Sequence, residues 1–400
     1  MWGTIAGPHT PLDENSGRSV PCVARRFAYS RRFAYGKVST MTDIWTVKAA
    51  LDWTVGYLEG KGDENPRLSA EWLLSEACGL SRIQLYVNFD RPLSMDERDK
   101  LRGFVTRRGR GEPLQYITGE AAFRHITVKV RPGVLIPRPE TEVLVSEALA
   151  LLPPAKKRVA LDSTIDAWEG DVLIAAEAAA AEAAQAEESD DVAVLEQSKQ
   201  VISDYLSGQH ADGDCAGAST AAVAKPRPLL VADICTGSGC IACSIAYERP
   251  DARLIATDIS PKAVSLAKEN ANDLALSDRV RVEQCDLGAG VPAAALGRLD
   301  LVVSNPPYVP TAVLAEIPRE VADFEPALAL DGGADGNDIL RRLLPWTMVA
   351  LRPGGGFAFE LHETRLAQAA DLARQAGFAH VRIVDDLTGR PRVLTARKPV

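Results

Sequence analysis

From Leu229 onward the chain repeats strand, turn and helix, and this rhythm constrains the fold more than any other feature of its 400 residues. Leu229 to Ile234 reads as a strand, Ile241 to Tyr247 as a helix, Arg253 to Thr257 as a strand and Lys262 to Leu274 as a helix. Strands at Val280 to Gln284 and Leu299 to Val303 follow. Helices at Gly336 to Leu351 and Arg365 to Ala376 then flank a strand at Gly356 to Glu360, and Val381 to Val384 with Val393 to Ala396 closes the chain. Strands alternating with amphipathic helices predict a doubly wound, Rossmann-like α/β sheet. In such sheets ligands bind beyond the carboxyl ends of the strands, so the residues that follow each strand carry the functional reading.

The region before this sheet has a different period. Apolar residues at Ile44, Val47, Ala50, Leu51, Val55 and Leu58 predict a helix capped at Thr42 or Asp43, and Ser69 to Cys78 and Ser94 to Arg107 predict two more. Residues 41–112 therefore read as a small helical domain. Its basic run, Arg98, Lys100, Arg102, Arg107, Arg108 and Arg110, reads as a solvated helix face or as a docking surface for an acidic or ribosome-associated partner. Residues 113–139, with Phe123, Ile126, Val128 and Val130 at near-even spacing before Pro132-Gly133, predict a β-hairpin linker. A helix at Glu140 to Leu152 opens a second domain, 140–400, interrupted at about 155–226 by an Ala/Glu/Asp-rich tract. The tract has few large apolar residues to bury, so it reads as a largely solvated insert. Residues 1–40 carry a tandem RRFAY and no structural period. They read as a disordered extension, or as sequence upstream of a true start at Met41.

Composition narrows the function classes. With 46% hydrophobic residues the chain can bury a sizeable core, and no window approaches the roughly 18 apolar residues of a membrane-spanning helix. The net charge of −9 is unevenly placed: residues 151–228 hold 14 acidic against 6 basic side chains, so overall acidity alone is a weak argument against nucleic acid. The 7 cysteines form no disulfide framework and are read as thiols in a reducing, cytoplasmic setting. Cys240 and Cys243 form a C-x-x-C with no second pair at zinc spacing. They are read as small core residues, with no metal expected.

Two constellations carry chemistry. Asp233-Ile-Cys-Thr-Gly-Ser-Gly239 follows the first strand and opens a helix, where glycines allow close backbone approach and free N–H groups face a ligand. Asp258 ends the second strand, where a carboxylate can take both ribose hydroxyls. A nicotinamide dinucleotide and S-adenosylmethionine both satisfy this pattern. The second constellation is narrower: Ser304-Asn-Pro-Pro-Tyr308 directly follows the Leu299 to Val303 strand. Its prolines stiffen the loop and aim carbonyls outward. The Asn305 side-chain oxygen and the Pro306 carbonyl can each accept one N–H of a planar amino group, with Tyr308 packed on its flat face.

With these residues the sequence closely resembles the class I S-adenosylmethionine-dependent methyltransferases that carry N-P-P-Y, and among them the protein-(glutamine-N5) methyltransferases of peptide-chain release factors. Pro113-Leu-Gln-Tyr-Ile-Thr-Gly119, Leu135-Ile-Pro-Arg-Pro-Glu-Thr-Glu142, Phe324-Glu-Pro-Ala-Leu-Ala-Leu330 and Asp386-Leu-Thr-Gly-Arg-Pro-Arg392 support the match, which spans about 41–150 and 229–400. The resemblance implies a class I methyltransferase sheet, S-adenosylmethionine as cofactor and no metal. It places Cys235, Thr236, Gly237, Ser238 and Gly239 at the methionine side of that cofactor, Asp258 at its ribose, Asp286 and Leu287 near its adenine, and Asn305 within reach of it. It gives Asn305, Pro306, Pro307 and Tyr308 to the substrate glutamine, with Asn305, Pro306 and Tyr308 catalytic. It further implies release factors as protein partners recognised by the 41–112 domain, with no membrane and no direct nucleic acid contact. Glutamine methylation of a ribosomal protein, amino-group methylation of nucleic acid and non-catalytic cofactor binding are the alternatives. The sequence departs from the family pattern at Cys235, where glycine is usual, at Leu287, where an aromatic is common, and at Glu360-Leu-His-Glu, which lacks a glycine often seen there.

Overall fold

The computed structural model describes residues 45–154 and 227–400. The expectations for residues 1–40, for a start at Met41, for a cap at Thr42 or Asp43 and for the 155–226 tract lie outside the described residues.

The first described helix, α1 (Val47–Glu59), is capped by Thr46, whose hydroxyl accepts from the Ala49 N–H at 3.2 Å. The periodic run therefore starts its helix later than its first apolar residue suggests. Helix α2 (Pro66–Cys78) begins on a proline, where the absent N–H would have no helical partner, and stops at Gly79 with φ 62°. Helix α3 (Arg82–Val87) is not anticipated by the sequence reading. Its six residues are too short to display a 3.6 period, although Ser81 and Gln84 form a capping box. Helix α4 (Met95–Arg108) has the Ser94/Glu97 box, acids in its first turn and Arg107 and Arg108 in its last, all in favour of the helix dipole. Leu51, Leu58, Leu73, Leu74 and Leu85 close one core between these helices.

The basic run is largely committed within the molecule. Arg107 grips Glu112 and the Tyr116 carbonyl, Arg108 bonds Asp63 at 2.6 Å and Glu320 at 2.9 Å, and Arg102 pairs with Asp99. The Arg98 guanidinium lies over the Trp45 ring. These bonds favour the reading as a braced helix face over that as a free docking surface.

Residues 113–139 are not a hairpin throughout. A short helix, α5 (Leu114–Thr118), comes first, and the hairpin is confined to β1 (Glu120–Phe123) and β2 (Ile126–Lys129), paired from Glu120↔Lys129 to Phe123↔Ile126. The alternation then acts as expected: Phe123, Ile126, Val128 and Val130 all turn inward.

After α6 (Thr141–Leu151) comes the sheet, with β3 (Leu229–Ile234), β4 (Ala252–Asp258), β5 (Val280–Gln284), β6 (Leu299–Ser304), β7 (Leu351–Glu360), β8 (Ala379–Asp385) and β9 (Pro391–Arg397) in the order β5-β4-β3-β6-β7-β9-β8. Pairing is parallel from β5 to β7 and antiparallel for β9 with β7 and with β8. Helices α7 (Cys240–Glu248), α8 (Pro261–Asp273), α9 (Asp338–Ala350) and α10 (Leu366–Gln375) cover it. Successive strand residues enter opposite cores: Leu301 and Val303 pack with α6, α7 and α8, while Val302 and Phe357 pack with α9 and α10. Strand β7 starts five residues before the expected Gly356, because Arg352-Pro-Gly-Gly355 reads locally as a turn yet is held in register by the Leu299↔Leu351 pairing. The pairings Ile234↔Thr257, Ile234↔Ser304 and Ser304↔Phe359 bring Cys235, Asp258, Asn305 and Glu360 out at one edge of the sheet.

Candidate active site

The loop between β3 and α7 is wound tightly. Cys235, Gly237 and Gly239 have φ of 61°, 58° and 80°, so the departure from glycine at Cys235 puts a side chain in the left-handed region. Such a conformation costs about 1 kcal/mol for a residue with a Cβ. Gly239 does not touch the cleft. It begins α7, and a Cβ there would press on Ala267 of α8 at 3.0 Å, so its role is close helix packing. A Cβ at Gly237, by contrast, would meet no atom within 4 Å, and this open space lies just before the start of α7. Buried Asn270 stitches the loop to the hairpin, donating to the Ser238 carbonyl at 2.8 Å while bonding both backbone groups of Lys129.

Asp233 lies fully buried beneath this loop. One carboxylate oxygen accepts from the Thr236 hydroxyl at 2.6 Å and the Ala242 N–H at 3.1 Å, and the other has no partner among the described residues. Burial pushes its pKa up to about 7. A carboxyl whose native pKa lies above its unfolded value of about 4 stabilises the fold fully below that lower value and loses this contribution as pH rises through the native pKa. We expect Asp233→Asn, which keeps an acceptor for Thr236, to flatten that decline, so that its Tm relative to the parent protein rises between pH 5 and 8 in calorimetry. A constant Tm difference across that range would contradict the assignment.

Asp258 braces the same loop. Its carboxylate accepts from the Gly237 N–H at 2.9 Å and the Ser260 N–H at 2.8 Å, and the residue lines the cleft. Burial raises its pKa, and those backbone donors pull it back. Asp286 pairs with Arg342 of α9, and Leu287, at φ 50°, holds its carbonyl toward the Thr257 hydroxyl at 2.8 Å. Among the described residues no cluster of His, Cys, Asp or Glu is arranged to hold a metal, and Cys240 and Cys243 are buried thiols inside a core.

The Asn305 to Tyr308 loop is held from two sides. Ser304 donates to the Ile234 carbonyl at 2.6 Å, locking the loop to β3. Beyond it, Val309 N–H bonds Leu330 O and Gly332 N–H bonds Val309 O, both at 2.8 Å. A Cβ at Gly332 would sit 2.7 Å from Tyr308 Cα, and one at Gly336, whose φ is 78°, would strike the Tyr308 carbonyl. Only glycine lets this segment lie on the N-P-P-Y backbone. We expect Gly336→Ala to displace the loop, lowering kcat by about tenfold or more while leaving cofactor affinity within a few fold in titration calorimetry. Unchanged kcat would remove the glycine from the site's support.

Cys235, Thr236, Gly237, Ser238, Asp258, Asp286, Leu287, Asn305 and Pro307 line one cleft of about 270 Å³. Pro306, which is buried, and the half-buried Tyr308 adjoin these residues in the chain without lining the cleft through their side chains. The Tyr308 hydroxyl donates to Glu360 at 3.3 Å and its ring lies 6.3 Å from that of His362. The sequence reading missed several residues that complete the site. Arg138 lines the cleft and bonds both oxygens of buried Glu325 at 2.7 Å, which joins Leu135-Ile-Pro-Arg-Pro-Glu-Thr-Glu142 to Phe324-Glu-Pro-Ala-Leu-Ala-Leu330. Thr141 also lines the cleft and accepts from Asn305 Nδ2 at 3.3 Å. Glu360 is buried beside Tyr308. Their signal was the polar and charged residues inside the Leu135 to Glu142 and Phe324 to Leu330 motifs and at Glu360, but nothing in it paired one motif with another.

A glycine-loop cleft at the switch point of a parallel sheet, an acidic residue ending the second strand and an N-P-P-Y loop define a class I, S-adenosylmethionine-dependent methyltransferase. The comparisons agree. Residues 49–119 match the PrmC N-terminal domain and residues 221–318 the methyltransferase small domain. The release factor glutamine methyltransferase of Geobacter sulfurreducens is 36% identical over 89% of this chain and 98% of its own, that of Rhodopirellula baltica 34% over 88% and 97%, and that of Moorella thermoacetica 35% over 88% and 98%. The chain belongs to the release factor glutamine methyltransferase family.

Proposed function

We propose that this enzyme methylates the side-chain amide nitrogen of the glutamine in the Gly-Gly-Gln motif of peptide-chain release factors, in the cytoplasm, with residues 41–112 recognising the factor. The observation that carries the reading is the meeting of Asn305 with Asp258 and the glycine loop in one cleft, which brings an amide-gripping loop next to a cofactor cradle.

The residues present fit S-adenosylmethionine: open space against the Gly237 backbone, a helix start and an Asp258 carboxylate lining the cleft. When bound, the cofactor supplies an electrophilic sulfonium methyl, whose transfer to nitrogen leaves a thioether and releases one proton. An amide nitrogen is a poor nucleophile because its lone pair is shared with the carbonyl. As the lone pair is used, its N–H groups grow more acidic, and the Asn305 side-chain oxygen and Pro306 carbonyl accept bonds that strengthen in the transition state. Holding the nitrogen in line supplies the rest of the barrier reduction.

Mass spectrometry of a purified release factor incubated with this enzyme and S-adenosylmethionine tests the reading. The expected result is one added methyl on the Gly-Gly-Gln peptide. An unmodified factor, with methyl found on a ribosomal protein or on nucleic acid instead, would overturn the substrate while leaving the cofactor cleft in place.

A further inference from the structure

Asn305 can serve a substrate amide only in one of its two amide orientations. Its oxygen must face the incoming N–H, so its own nitrogen must be held elsewhere. In the structure that nitrogen donates to the Thr141 hydroxyl at 3.3 Å. A hydroxyl that accepts this bond keeps one proton to donate. Glu360 can accept it: β7 runs parallel to β6 with Phe359 opposite Ser304, which sets Glu360 level with Asn305, and its carboxylate interacts with the Thr141 side chain. Glu360 is 1% exposed; one of its carboxylate oxygens receives the Tyr308 hydroxyl at 3.3 Å, and the other has no hydrogen-bond partner among the described residues. A buried oxygen left without a donor is costly and calls for a reason.

We infer that Glu360 and Thr141 act as a positioning pair that fixes the amide orientation of Asn305: the carboxylate accepts the Thr141 proton, the Thr141 oxygen accepts from Asn305 Nδ2, and Asn305 Oδ1 is left for the substrate. Tyr308, bonded to the same carboxylate, ties the far end of the loop to the same anchor. Burial raises the Glu360 pKa, while the Thr141 hydroxyl, the Arg392 guanidinium and the Tyr308 hydroxyl favour the charged, acceptor-only form. The Asp386 to Arg392 motif then has a purpose. Asp386 accepts from the backbone of Thr388 and Arg390 and, at 3.4 Å, from Arg392, so the hairpin between β8 and β9 delivers a positive charge toward Glu360.

The inference rests on the reading that Asn305 receives the substrate amide, and Asn305→Ala is the control for that reading. The test compares Thr141→Val, Thr141→Ser and Glu360→Gln in full-length enzyme, reading kcat, KM for the release factor and cofactor affinity separately. Valine matches threonine in shape but lacks the hydroxyl, so Thr141→Val is expected to lose about tenfold in kcat with cofactor affinity and Tm close to those of the parent. Serine restores the hydroxyl and should recover most of that loss. Glu360→Gln, which can donate as well as accept and so blurs the orientation, should fall between them. Parent-like kcat in Thr141→Val, or equal losses in the valine and serine variants, would overturn the positioning role. If Thr141→Val is unimpaired while Asn305→Ala is inactive, only this inference fails. If Asn305→Ala is fully active, the reading beneath it fails as well.

Discussion

Asn305→Ala is expected to lower kcat by about 10²- to 10³-fold, the usual cost of removing one preorganised group that bonds the reacting centre in its transition state. The substitution deletes the acceptor for the substrate N–H and releases the bond to Thr141, but it removes nothing that braces the glycine loop. Cofactor affinity measured by calorimetry should therefore stay within a few fold of the parent, and the loss should appear in kcat at saturating release factor rather than in KM. This split separates a role in the reaction from a role in the cleft's shape. Parent-like turnover would take Asn305 out of the mechanism. A large loss of cofactor binding would make it a structural residue of the cradle.

Asp258→Ala should show the opposite split. Its carboxylate already accepts from Gly237 and Ser260, and its remaining lone pairs are the acceptors available to a ribose. A hydrogen bond to a charged group contributes about 1.5–3 kcal/mol, so losing two of them predicts a cofactor affinity weaker by about 100-fold or more. The glycine loop also loses its anchor, which adds to the loss. At cofactor concentrations high enough to saturate the variant, kcat should return to within about tenfold of the parent, because Asp258 touches neither the N-P-P-Y loop nor its supports. Unchanged affinity would leave the ribose to another residue. A kcat that stays low at saturation would place Asp258 in the chemistry.

The two expectations rest on different levels of legibility. Strands β3 to β6, the helices between them and the positions of the glycine and N-P-P-Y loops were readable because each is a local pattern: alternation or continuous burial over a few residues, punctuated by glycine or by the prolines of Asn305 to Tyr308. The elements misread were those whose local signal was short or misleading. Helix α3 is a turn and a half long, α5 hides inside an apparent hairpin, and the start of β7 carries the Pro353-Gly-Gly355 that elsewhere marks a turn.

The sequence by itself determined the class of sheet and the places of the glycine loop and the N-P-P-Y loop at its strand ends, because backbone conformational limits and hydrophobic periodicity act between near neighbours. Tertiary structure alone decided how that loop is aimed. Asn305 meets Thr141 from 164 positions away and Arg138 meets Glu325 from 187, and a one-dimensional pattern holds no record of such pairs. They exist because parallel pairing sets the ends of β3, β4, β6 and β7 level, and because a carboxylate buried at that edge needs donors that only distant segments can bring.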